Sequence, residues 1–150
     1  MSVGAVWRRI LVPIQFSRRL PGAELELARS IARTNHAKIV LLHVVPLSSA
    51  VSADASLAAQ YFMEAEKDAQ LKLRKIAQSK LKSFDVEIVV EVGNPATRIV
   101  TQAAKLHADL LIIATHGRTG IKRYLLGSVA EHLVARCPCP LLTIRPRNEH

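Results

Sequence analysis

The stretch "ADLLIIATHGRTGIKRYLLGSVAEHLVA", residues 108–135, joins an apolar run to a glycine-containing loop and then to an amphipathic segment. Its first seven residues are almost wholly apolar, as a short strand buried on both faces requires. After Gly127, apolar residues recur at three- and four-residue spacings, which predicts a helix. A buried strand followed by a loop and a helix indicates an α/β fold.

The same alternation runs along the rest of the chain. We predict strands at residues 8–14, 38–45, 85–92, 108–114 and 140–146, and helices at residues 20–37, 57–81, 93–108 and 127–136. Pro21 and Pro95 suit first helical turns, and Asn94 suits an N-cap. Five strands alternating with four helices predict one domain, residues 1–150, built on a doubly wound parallel sheet with right-handed crossovers.

Length and composition agree with a single domain. Of the 150 residues, 49% are hydrophobic, which is enough for one compact core. The longest apolar runs are far shorter than the roughly 20 residues that a membrane-spanning helix needs. The N-terminal residues lack the order of a secretory signal peptide. We therefore expect no membrane association and a cytoplasmic location.

The charge balance points to an anionic ligand. The chain has 21 Lys and Arg residues against 12 Asp and Glu residues, a net charge of +9, which attracts phosphates or polyanions. Aromatic residues make up only 4% of the chain and are scattered, so they form no series of base-stacking platforms. Nucleic acid is therefore the weaker interpretation of the charge.

The two cysteines, Cys137 and Cys139, flank a proline in "CPCP". A disulfide between them would close a very tight ring. A structural zinc site takes about four ligands, and His116 and His132 are the nearest candidates to complete one. We expect reduced, structural cysteines and no metal.

The loops after the first and fourth strands are the candidate binding loops, because ligands of doubly wound sheets lie beyond the carboxyl ends of the strands where the winding reverses. Gly127 and Ser128 fall at the start of the helix that follows the fourth strand. Free backbone amides and the positive end of the helix dipole favour an anion there, and Ser128 adds a hydroxyl donor. The alternative is that the glycines only allow turns and Ser128 only caps the helix. The spacing fits neither a Walker loop nor G-x-G-x-x-G.

From "RRILVPI" through "IVLLHVV" and "GNPATRIV" to "DLLIIATHGRTGIKRYLLGSVAEHLVARCPCPLLTIRP", the chain resembles the universal stress protein family essentially end to end. Its last segment resembles that of nucleotide-binding members, in which G-x-x-G is followed by nine residues and then G-S/T. The resemblance implies a Rossmann-like sheet of strand order 3-2-1-4-5, similar to the adenine nucleotide alpha hydrolase fold. It also implies ATP or another adenine nucleotide with its phosphates on the loop, and a homodimer through the last strand, residues 141–145.

Carried over by residue, the first glycine of that pattern falls on Ala114, the second on Gly117 and the third on Gly127. The hydroxyl falls on Ser128, and Val129 follows at the helix start. The methyl group of Ala114 could crowd a base or ribose that glycine would admit.

The family's acidic residue after the first strand, expected in a Pro-x-Asp setting, falls on Gln15 in "Pro13-Ile14-Gln15". Glutamine keeps hydrogen-bonding capacity and loses the charge. We expect the base near Pro13, Gln15 and either Leu41 or Leu42. The loop residues His116, Arg118 and Gly120 complete the predicted nucleotide site.

Catalysis of phosphoryl transfer needs a metal-binding acid and a placed base. Neither candidate loop carries an acidic residue, and no catalytic triad can be drawn from the spacing. We expect a nucleotide binder, with Mg²⁺ compatible with the bound phosphates and slow hydrolysis at most. Two alternatives stay open. One is a nucleotide-free dimeric interaction module, favoured by Ala114 and Gln15. The other is an electron-transfer flavoprotein-like or adenylating enzyme, but the sequence shows neither a flavin site nor a pyrophosphate loop near the N-terminus.

Overall fold

The computed structural model describes residues 6–16, 21–47, 54–115 and 127–145. The elements are β1 (Arg9–Pro13), α1 (Ala23–Asn35), β2 (Lys38–Pro46), α2 (Ala55–Lys80), β3 (Val86–Gly93), α3 (Pro95–Lys105), β4 (Leu110–Ala114), α4 (Ser128–Arg136) and β5 (Leu141–Ile144). The strands form one parallel sheet in the order β3-β2-β1-β4-β5. The predicted α/β fold and its strand order are confirmed.

Two apolar layers cover the sheet. Ile10 and Val12 of β1 face the layer formed with α1 and α2, whereas Leu11 between them faces the layer formed with α3 and α4. All three side chains are fully buried. Because helices cover both faces, the central strands are continuous apolar runs rather than alternating ones.

Local capping sequences determine where the helices start. The side chain of Asn94 accepts a hydrogen bond from the Thr97 amide at 3.1 Å, with Pro95 as the first helical residue, as predicted. Asp54 caps α2 in the same way. The prediction for Pro21 is wrong: α1 begins after Gly22, whose carbonyl accepts the bond from Glu26 at 2.9 Å, so Pro21 precedes the helix.

The apolar side of α2 is only partly buried. Ala69 and Leu73 pack into the core, but Leu57 is 56% exposed and Tyr61 is 43% exposed. A helix of 26 residues is about 39 Å long, whereas the eight residues of β3 span only about 26 Å. The first turns of α2 therefore extend beyond the sheet.

None of the helices in the described ranges combines the length and the mean hydropathy of a membrane span. Among the helices described, only α2 is longer than 18 residues, and its outward side carries charged residues such as Asp68 and Lys72.

Candidate functional site

A cleft of about 1370 Å³ lies at the carboxyl edge of the sheet. The predicted site residues that line it are Pro13, Ile14, Gln15, Leu42, Ala114, Gly127, Ser128 and Val129. Residues that are distant in the sequence therefore meet at the switch point of the winding, where this fold class places ligands. The other predicted site residues, His116, Gly117, Arg118 and Gly120, lie outside the described residues.

The cleft opens because the two central strands part. β1 and β4 are paired at Ile10↔Leu110 and Leu11↔Leu111. Beyond that point β1 continues beside β2, and the Ile14 amide donates to the Leu42 carbonyl at 2.7 Å. β4 instead continues beside β5. The space between the two diverging strands is the floor of the cleft.

The N-terminus of α4 faces this cleft. Gly127 is the N-cap residue and supplies no side-chain cap, and the first bond within the helix runs from the Glu131 amide to the Gly127 carbonyl at 3.0 Å. The amides of Ser128, Val129 and Ala130 therefore have no partner within the helix. They lie at the positive end of the helix dipole, which favours an anion.

Gly127 and Ser128 are both exposed. The φ angle of Gly127 is −61°, which any residue adopts, and a Cβ at this position would meet no described atom within 4 Å. Neither backbone conformation nor packing among the described residues requires glycine there. The alternative in which Ser128 only caps the helix is wrong, because Ser128 is the first helical residue and Gly127 occupies the cap position.

Gln15, after β1, and Leu42, in β2, are both proposed to contact the base, but their surroundings differ. Gln15 is exposed at the cleft, so its amide can donate and accept hydrogen bonds. Leu42 is fully buried and forms part of the apolar floor. Leu41, the alternative to Leu42, faces the opposite layer, with α1 and α2.

One wall of the cleft carries an aromatic pair that the sequence does not predict. The rings of Phe16 and His43 lie 4.5 Å apart, and both residues line the cleft. His43 Nδ1 lies 2.8 Å from the Ile14 carbonyl, to which it donates. His43 lies within β2, and this bond satisfies one of its ring nitrogens. The period-two alternation that places both rings on the α1 and α2 side is the signal that could have found this pair.

Charged groups surround the aromatic pair. Lys72 Nζ lies 5.1 Å from the centre of the Phe16 ring and 2.8 Å from Asp68 Oδ2, its ion-pair partner four residues earlier on α2. Burial lowers the pKa of His43, and Lys72 lowers it further, whereas the Ile14 carbonyl and Asp68 act in the opposite direction. His43 is therefore favoured in its neutral form.

The cleft also holds a carboxylate that neither candidate loop supplies. Glu24, in the first turn of α1, lines the cleft and is only 9% exposed. Among the described residues, His, Cys, Asp and Glu form no group of three or more that could hold a metal ion. Glu26, also on α1, lines the same cleft but is exposed, so Glu24 is the buried one of these two carboxylates.

The fold and sequence match known proteins over nearly the whole chain. The universal stress protein family model matches residues 7–145. Universal stress protein MJ0531 of Methanocaldococcus jannaschii is 32% identical, over 96% of this chain and 86% of its own length. The solved structure of protein MJ0577, a universal stress protein of the same organism, has a TM-score of 0.82 at 25% identity and covers 96% of this chain and 99% of its own.

A third similarity extends to a eukaryotic protein. The crystal structure of a universal stress protein family protein from Arabidopsis thaliana, with AMP bound, has a TM-score of 0.60 at 20% identity, covering 94% of this chain and 93% of its own. At this identity the likeness shows a shared fold. The family model, however, matches all nine secondary-structure elements described above. This match shows that the chain belongs to the universal stress protein family.

Proposed function

We propose that this protein binds an adenine nucleotide in the cleft between β1 and β4, with the phosphates at the N-terminus of α4. One observation carries the proposal: the uncapped first turn of α4, at Gly127 and Ser128, opens onto the space where the two central strands part. Backbone amides at a helix start are a ready-made site for phosphate oxygens. The net charge of +9 favours the approach of such an anion.

The adenine nucleotide class is supported by the fold relative from Arabidopsis thaliana, whose structure holds AMP. In the proposed arrangement, Pro13, Ile14 and Leu42 offer apolar surface to the base, and the Gln15 amide offers a donor and an acceptor to the nucleoside. Ala114 borders the same space. His116, Gly117, Arg118 and Gly120 remain part of the proposed site, in the segment between β4 and α4.

The proposed role is that of a binder in stress response or signalling, whose occupancy changes its conformation or its partners. We place it in the cytoplasm. Hydrolysis is slow at most in this proposal, and Mg²⁺ would accompany the phosphates rather than complete a catalytic site. The described carboxylates that line the cleft, Glu24 and Glu26, both lie on α1 and not in either candidate loop.

The proposed dimer forms through β5. Within the described residues, β5 pairs with β4 and lies at the edge of the sheet. Leu142 and Thr143 are exposed on it. An edge strand presents unpaired backbone groups, which a second copy of the chain can satisfy.

A nucleotide-free dimeric interaction module is the second candidate, favoured by the replacement of a glycine by Ala114 and of a carboxylate by Gln15. The test is native mass spectrometry of protein purified without added ligand, followed by calorimetric titration with ATP, ADP and AMP. Nucleotide binding is expected. No retained mass and no binding heat at millimolar ATP would overturn the proposal and support the module.

A further inference from the structure

The carboxylate of Glu24 is buried in the wall of the cleft without a partner. Glu24 is 9% exposed, and Gln102 is the other polar side chain that is buried among the described residues. Gln102 donates a hydrogen bond to Glu91. The Glu24 carboxylate, by contrast, accepts no hydrogen bond and forms no ion pair within the described part of the chain. Burying a charge without a partner costs free energy, which a ligand that donates to this carboxylate would offset.

The oxygens of Glu24 face the cleft. In the described ranges, the buried polar side-chain atom that is sealed from solvent without a partner is Arg29 Nε, and the oxygens of Glu24 are not sealed in this way. Because Glu24 lines the cleft, the small exposed part of its side chain includes the carboxylate. A molecule bound in the cleft can therefore donate hydrogen bonds to it.

The start of α1 does not explain why this carboxylate is buried. The first bond within α1 joins the Glu26 amide to the Gly22 carbonyl, and no side chain caps the amides before it. An acidic residue in a first turn also interacts favourably with the helix dipole. That interaction does not need burial, since Glu26 lies in the same turn and is exposed. The burial of Glu24 is therefore a feature of the cleft and not of the helix end.

Glu24 and the start of α4 border the cleft from opposite faces of the sheet. Leu25 and Ala28 of α1 pack in the layer formed with α2, whereas Ala130 and Leu133 of α4 pack in the other layer. In the proposed arrangement, phosphates at α4 lie across the cleft from Glu24. This separation is favourable, because like charges repel. The part of the ligand that reaches Glu24 is therefore uncharged and carries hydrogen-bond donors.

A ribose supplies such donors on the required side. Its base and its 5′-phosphate are attached on either side of the ring oxygen, and its 2′- and 3′-hydroxyls lie on the opposite edge of the ring. With the base on the apolar floor and the phosphates at α4, this edge is left for the wall formed by α1. Two adjacent hydroxyls are two donors, and a carboxylate offers two acceptor oxygens. The chemistry of Glu24 thus matches a ribose diol.

We propose that Glu24 accepts hydrogen bonds from the 2′- and 3′-hydroxyls of the bound nucleotide and makes the cleft selective for ribonucleotides over deoxyribonucleotides. This inference rests on the proposed function, because it requires a nucleotide in the cleft. Glu24 supplies from α1 the charged acceptor that Gln15 does not supply after β1. A hydrogen bond to a charged acceptor is stronger than one to a neutral amide, and a buried setting strengthens it further.

The test is calorimetric titration of the full chain with ATP and with 2′,3′-dideoxy-ATP. The unaltered chain is expected to bind ATP about tenfold more tightly than the dideoxy nucleotide. Glu24→Gln keeps the size of the side chain and removes its charge. It is expected to weaken ATP binding about tenfold and to leave binding of dideoxy-ATP unchanged. Glu26→Gln is the matched control, because it makes the same change at the exposed carboxylate of the same turn and should alter neither affinity.

Equal affinities of the unaltered chain for the two nucleotides would overturn the inference and leave the proposed function standing. No binding of ATP by the unaltered chain would overturn both. A loss in Glu24→Gln that persists with dideoxy-ATP would also overturn the inference, and its disappearance with inosine triphosphate would assign Glu24 to the amino group of the base. Thermal unfolding checks that the variants fold, and the comparison of nucleotides in the unaltered chain decides the matter if Glu24→Gln does not.

Discussion

The Ile14 amide donates a hydrogen bond of 2.7 Å to the Leu42 carbonyl, so the chain that leaves β1 stays beside β2. On the other side of the cleft, the Thr115 amide donates to the Ile144 carbonyl at the same distance, which keeps the end of β4 beside β5. These two bonds direct the central strands apart. The residues that follow each strand thus border a common opening and are not paired with each other.

Gly127→Ala is expected to weaken ATP binding while lowering stability by about 1 kcal/mol at most, because alanine is a poorer N-cap residue than glycine. A Cβ at this position meets no described atom within 4 Å but would occupy the space by which phosphates approach the α4 amides. Calorimetry and thermal unfolding measure the two effects. Gly22→Ala is the control, because Gly22 caps α1, also lines the cleft and also has open space around it. A larger loss of affinity in Gly22→Ala would place the phosphates at α1 instead.

Gln15→Asp is expected to tighten adenosine binding about fivefold, equivalent to about 1 kcal/mol, because a hydrogen bond to a charged acceptor is stronger than one to a neutral amide. Gln15 is exposed at the cleft, so the change should not disturb the core. Gln15→Asn shortens the side chain without adding charge and should show no gain. Equal adenosine affinities for the aspartate and asparagine variants would contradict the prediction.

His43 should make stability depend on pH. Because its pKa is lowered in the folded state, mainly by burial, the unfolded chain binds the proton more tightly. Stability is then lost as the pH falls through the unfolded value of about 6.5 towards the folded pKa. His43→Asn keeps a donor for the Ile14 carbonyl and removes the titration.

Thermal unfolding at about pH 7.5 and about pH 5.5, on either side of the ordinary histidine pKa, measures this effect. The difference in Tm between the two conditions should be smaller in His43→Asn than in the unaltered chain. His132→Asn, a half-buried position on α4, is the control. An undiminished difference in His43→Asn would show that another group is responsible.

Asn94→Ala is expected to lower the free energy of unfolding by about 1 kcal/mol, because it removes the side-chain cap on the Thr97 amide. Asn94→Asp keeps an oxygen acceptor and should retain most of the stability. Urea denaturation of the three proteins gives the comparison. Equal losses in the alanine and aspartate variants would mean that the cap contributes little.

Leu142→Lys is expected to convert the proposed dimer into a monomer, because it places a charge on the exposed side of β5, where Leu142 is 39% exposed. Analytical ultracentrifugation measures the change in mass. Val134→Lys introduces the same charge at a site on α4 that is 59% exposed and should leave the association unaffected. Persistence of a dimer in Leu142→Lys would remove β5 from the interface.

Elements whose start or end is set by neighbouring residues could be predicted from the sequence to within a few residues. The predicted third helix includes the cap at Asn94, because cap and first turn are adjacent in sequence. For α2, periodicity indicates which side of the helix is apolar, but not how much of that side the sheet covers. Leu73 is buried against the strands, whereas Leu57 and Tyr61 lie beyond their ends and are exposed. Period-two alternation places Phe16 and His43 on the same side of the sheet, but their contact depends on the pairing of β1 with β2, which joins residues distant in the sequence.

The sequence by itself determined the alternation of buried strands and helices, the cap of α3 at Asn94, and the presence of Gly127 and Ser128 at a helix start. Only the tertiary structure decided that this helix start faces Gln15 and Leu42 across a single cleft. The physical reason is that side-chain periodicity and capping act within a few residues. The parting of β1 from β4 depends instead on hydrogen bonds between distant strands, whose register is fixed only when the whole sheet assembles.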